Sequence, residues 1–151
     1  MKTTEWYLEK YGESHTHPTN ILIHKIFVPL IMFSVIGLLW SIPVPENYPW
    51  FINFGMGLVL LALGFYSSMG VAIFLPMLFI VAPMIYGNFV LSSSPLFFKI
   101  NLIIFVVSWV FQFVGHKIEG KKPSFIEDLL FLLVGPIWVF YPFIKKLKKA
   151  A

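Results

Sequence analysis

The chain contains no cysteine and no arginine, and only 12% of its 151 residues are Asp, Glu, Lys or Arg. Without cysteine, disulfides, thiolate catalysis and cysteine-based zinc sites are excluded. Any metal must be held by nitrogen and oxygen donors. A soluble domain carries about 25% charged residues, so this chain lacks the polar material to clothe a water-facing surface. Also missing are a serine-nucleophile motif, a phosphate-cradling glycine loop and an HExxH pair. The net charge is +4, and all eleven basic residues are lysines. They sit beside hydrophobic segments, where their ordinary work is orientation and anionic-lipid contact. Nucleic acid is therefore not an expected partner. Residues 1–20 are polar and carry Glu5, Glu9 and Glu13, unlike a secretory leader. The first apolar segment is expected to direct insertion itself.

What the chain has in abundance is apolar: 58% hydrophobic, 19% aromatic, mean hydropathy +0.83. No charge occurs from Ile26 to Pro45 or from Asn47 to Phe98. The second run is too long for one span, because a helix crosses the hydrocarbon in about 20 residues. Ser67-Ser68-Met69-Gly70 is its natural turn. Helices are predicted near 19–42, 50–67, 70–91, 96–117 and 126–144, with a short interfacial helix over 3–11 bearing Trp6, Tyr7 and Tyr11. The expected fold is a single all-α integral membrane domain spanning the whole chain, 1–151. It has four transmembrane helices and a fifth that either spans or breaks at Gly135-Pro136 and re-enters. The lysines place the N-terminus and the 117–124 loop in the cytoplasm. The membrane would be the inner membrane of a bacterium or the endoplasmic reticulum of a eukaryote. Asn53 and Asn101, isolated in apolar helices, are expected to join helices. Glu127-Asp128 suit the dipole at the start of the fifth segment.

The chain has four histidines, all beside segment ends. His15, His17 and His24 precede or start the first segment, and His116 ends the fourth. An even number of crossings between them puts all four at one membrane face, the cytoplasmic one. Pro18 suits the first turn of a helix, and Asn20 and His24, four apart, then share a face. Gln112, His116 and Glu119 share a face in the same way. A His and a carboxylate three apart on one helix can point two ligands at one metal. Together the two constellations read as a mixed histidine–carboxylate metal site. Such donors suit iron, manganese or zinc, and open positions would suit oxygen activation by iron. Glu13, Asn20 and Gln112 are candidates to hold the imidazoles in one tautomer.

Tyr11-Gly12-Glu13-Ser14-His15, Pro18-Thr19-Asn20, His24 and Val28-Pro29 resemble the N-terminal motif of the DUF962, or Mpo1-like, family. Gln112-Phe113-Val114-Gly115-His116 with Glu119, Lys122 and Pro123 resembles its second motif. The resemblance covers nearly the whole chain. It implies an Fe(II)-dependent dioxygenase that shortens 2-hydroxy long-chain fatty acids by one carbon, with O2 and membrane lipid as its other partners. It implies His15, His24 and His116 as iron ligands, and no particular residue as catalytic. Glu119, then His17, are the candidates for a fourth ligand. The competing expectation is a non-enzymatic membrane protein that binds metal or lipid.

Overall fold

The computed structural model describes residues 3–122 and 130–150, with side chains described as far as residue 145. Six helices and no strand occur among the described residues: α1 (Thr4–Gly12), α2 (Pro18–Trp40), α3 (Phe54–Ser68), α4 (Val71–Leu91), α5 (Phe97–Glu119) and α6 (Phe131–Ala150). Each start has a local cause. The Thr3 hydroxyl caps α1 by accepting from the Trp6 N–H. His17 caps α2, with Pro18 in the first turn. Asn53 Oδ1 accepts from the Met56 N–H at 2.9 Å. This cap moves the start of α3 from the expected 50 to 54 and gives Asn53 an N-terminal role in place of the helix-joining one. Gly120, at φ 74°, ends α5 in the left-handed conformation that glycine tolerates.

Three helices, α2, α4 and α5, are long and apolar enough to cross a membrane; α3 and residues Phe131–Lys145 are shorter apolar helices. At about 1.5 Å per residue, the 15 residues of α3 fall short of the ~30 Å hydrocarbon. The expected break in the last segment does not occur in the described part. Helix α6 runs unbroken through Pro136 and Pro142. Packing overrides the local weakness: Val134 and Ile137 are fully buried, and Gly135 packs against the phenol end of Tyr11. Glu127-Asp128 and Pro123 lie outside the described residues.

The radial distribution is that of a protein solvated by lipid. Leu61, Phe79 and Ile103 are 63–75% exposed, whereas Ser34, Asn88 and Asn101 are completely buried. Helices in lipid gain nothing from hiding leucine from its surroundings, so small and polar residues fill their contacts. Asn88 makes an interhelical bond: its Nδ2 donates to the Phe33 carbonyl of α2, and also to Met84 in its own helix, both at 3.0 Å. Asn101 donates within its own helix, to Phe97, and presses its amide on Gly37.

Helices α2 and α5 are antiparallel neighbours. Asn20 meets Gly115, Phe27 stacks on Phe111 at 4.4 Å and Gly37 meets Asn101. That pairing carries the start of α2 to the end of α5. Helix α6 covers α1 through Tyr7, Tyr11, Phe131 and Val134. Tyr7 and Tyr11, expected in the headgroup layer, are thus buried.

Candidate metal centre

His15, His24 and His116 are each at least 95% buried and meet at the α2–α5 junction. Their ring centroids are 4.2 to 5.0 Å apart. Each offers one nitrogen within 4.8 Å of the others, and together they form the group able to hold a metal ion among the described residues.

Two of the tautomers follow from hydrogen bonding. His15 Nδ1 lies 2.6 Å from the Tyr11 carbonyl, and His24 Nδ1 lies 2.9 Å from the Asn20 carbonyl. A carbonyl only accepts, so both Nδ1 atoms carry the proton. In the neutral rings both Nε2 atoms are then lone-pair acceptors, and they face each other at 2.9 Å. Two lone pairs at that distance repel unless a cation lies against both. Backbone carbonyls that fix the outer nitrogen are the usual support for histidine ligands. The third ring leaves Nδ1 buried and without a hydrogen-bond partner. The donor set therefore fits a metal ion of nitrogen and oxygen preference.

The fourth-ligand candidates stand elsewhere. Glu119 accepts from the Thr16 N–H at 3.0 Å, the Thr16 hydroxyl, the His17 N–H at 2.8 Å and Asn20 Nδ2 at 3.2 Å. Both its oxygens clamp the end of α5 onto the loop that carries His15. The exposed N–H groups at a helix start attract an anion, and they hold this one. His17 is exposed and turned to the Thr19 N–H as a cap. Glu13 is exposed and paired with Lys10. Asn20 supports His24 through its backbone carbonyl, while its side chain bonds Glu119 and the Ser14 carbonyl. Gln112 is buried one turn before His116, and its Nε2 contacts no acceptor.

Tyr11 escaped the sequence reading as part of the site. Its ring lies parallel to His15 at 4.2 Å, and Trp138 of α6 lies 5.1 Å from the same imidazole. The available signal was the four-residue step from Tyr11 to His15. Burial keeps the Tyr11 phenol neutral by raising its pKa above the ordinary range.

Burial also lowers the His15 pKa from its ordinary 6.5 to about 4, more than the Tyr11 carbonyl raises it. Between these values the unfolded chain takes up a proton that the folded chain refuses. Stability therefore falls as pH drops through that window and levels off below it. Thermal unfolding of the metal-free protein in detergent is expected to occur at a lower temperature at pH 5 than at pH 7, with the difference reduced in His15→Gln.

A helical chain with an apolar exterior and a buried three-histidine centre is the class these observations define. The chain matches, over residues 1–147, the model of the family described as "2-hydroxy-palmitic acid dioxygenase Mpo1-like". It belongs to that family. It is 29% identical over 147 residues to the 2-hydroxy-palmitic acid dioxygenase MPO1 of Saccharomyces cerevisiae, covering 91% of this chain and 77% of the yeast one. No solved structure matches.

Proposed function

We propose that this protein is a membrane dioxygenase that converts 2-hydroxy long-chain fatty acids to acids one carbon shorter, with Fe(II) held by His15, His24 and His116. The single observation that carries the reading is the pair of buried Nε2 lone pairs at 2.9 Å in an Mpo1-like chain. Three imidazole donors would leave further positions of an ion to oxygen ligands, the arrangement that suits oxygen activation. Iron bound there would supply reactivity towards O2 that closed-shell side chains lack.

The reaction balances with O2 as sole oxidant. C1 leaves as carbon dioxide, C2 becomes the new carboxyl carbon, and water is formed. The residues of the chain have separate tasks. The Tyr11 and Asn20 carbonyls hold two imidazoles in the ligating tautomer. Tyr11 and Trp138 wall His15 from water. Glu119 fixes the His15 loop to α5. The lysines support a site at the cytoplasmic face, reached by four crossings with α3 as a short one.

Purified protein supplied with Fe(II), O2 and 2-hydroxypalmitic acid is expected to release the C15 acid, read by mass spectrometry. Iron-loaded protein that makes no shortened acid across several chain lengths would falsify the reading. The clamp assignment has its own check. Glu119→Gln is expected to keep full iron stoichiometry while losing about 1.5–3 kcal/mol of stability, the range for hydrogen bonds to a charged group. Loss of iron without loss of stability would make Glu119 a ligand instead.

A further inference from the structure

The histidine centre opens on one side into a small, partly open cavity of about 60 Å³. Tyr11, His24, Gln112 and His116 form its polar end, with Trp109 one turn further along α5. Val28, Ile31 and Met32 of α2, and Leu132 and Pro136 of α6, form its apolar end. A water needs about 10–15 Å³ of such space, so the cavity admits a few waters. That is room for a small polar head and not for a long alkyl chain.

Gln112 is the unexplained group here. Its residue is 4% exposed, it lines the cavity beside two of the histidines, and its Nε2 has no acceptor. Buried amide donors are almost always satisfied, and the exceptions call for a ligand or a function. Gln112 stands four residues before His116 on the same helix face, lines the cavity, and its Nε2 donates to no imidazole. A neutral donor next to histidine nitrogens suits an anionic oxygen ligand.

We propose that this cavity is the head-group subsite and that Gln112 Nε2 donates to the carboxylate of the bound fatty acid. The alkyl chain then leaves between α2 and α6 towards the lipid-facing surface. Gln112 is on this view a substrate-binding residue, which sets which acids seat beside the metal centre. The inference rests on the fatty-acid reading above and adds the residue that recognises the acid.

The test is equilibrium binding of 2-hydroxypalmitic acid to iron-loaded protein under argon, followed by tryptophan fluorescence, since Trp109 walls the cavity. Gln112→Leu is expected to weaken binding about tenfold, the loss of one charge-assisted hydrogen bond. Iron content and the unfolding temperature should stay unchanged. Gln112→Glu, nearly equal in volume, is expected to weaken binding further by placing carboxylate against carboxylate. It keeps the test open if the leucine variant does not fold. In turnover the loss should fall on KM and leave kcat within a few fold. Wild-type affinity in both variants overturns the subsite and leaves the dioxygenase reading intact if wild-type turnover persists. Wild-type protein that neither binds nor converts any 2-hydroxy acid overturns both.

Discussion

His24→Ala is expected to abolish iron binding and reduce turnover to background. His24 is 2% exposed, and its Nε2 is one of the two lone pairs that meet at 2.9 Å. Alanine removes one donor of three. Changes to groups that merely support a metal ligand already cost about 10–100-fold in metal affinity or activity, so loss of the ligand itself must exceed that. The informative comparison is with Asn20→Ala. The Asn20 backbone carbonyl still orients His24 in that variant, while the side-chain bonds to Glu119 and Ser14 are lost. Asn20→Ala should therefore lose stability and keep measurable iron. Metal analysis of the purified variants, with the unfolding temperature alongside, separates the two effects. A His24→Ala protein with full iron would sink the three-histidine site.

Gly37→Ala is expected to destabilise the fold strongly. The new Cβ would stand 2.3 Å from Asn101 Oδ1 and 2.3 Å from Asn88 Oδ1. Neither amide can withdraw freely. Asn88 is tied to the Phe33 and Met84 carbonyls, and Asn101 to Phe97. Moving either would expose a polar group to a surrounding with no water to receive it. Overpacking of this kind costs about 1–3 kcal/mol, and the tethered amides put Gly37→Ala at the upper end. Unfolding in mixed micelles is the measurement. Gly64→Ala is the control, because nothing lies within 4 Å of its added Cβ and alanine favours helix. Equal stability of the two variants would show that the α2–α4–α5 contact is looser than described.

The histidine cluster was legible because charge placement and hydropathy alone bring the start of one apolar segment to the end of another. Spacing also put Gln112 and His116 on one face, where they are. Spacing does not carry direction, and Glu119 illustrates this. It shares the face of His116 but sits at the last position of α5, just past the triad. There the free N–H groups of Thr16 and His17 compete for its oxygens and hold them. The prolines of α6 misled in the opposite sense. Read locally they break a helix, but burial against α1 and the core keeps it continuous. Gly37 had no sequence signature, since its significance comes from two asparagines on other helices. Tyr11 read as interfacial for want of knowledge of its partner, α6.

The Glu119 clamp has a bearing on how the protein is made. Thr16 and Glu119 stand 103 positions apart, so the loop carrying His15 leaves the ribosome long before the group that fastens it. His15 and His24 alone form an incomplete donor pair until α5 has entered the membrane and delivered His116. On the proposed reading, metal capture is then a late event of biosynthesis. A nascent chain arrested before α5 would expose two imidazoles and no closed centre, so the proposed oxygen chemistry would wait until the bundle is nearly finished.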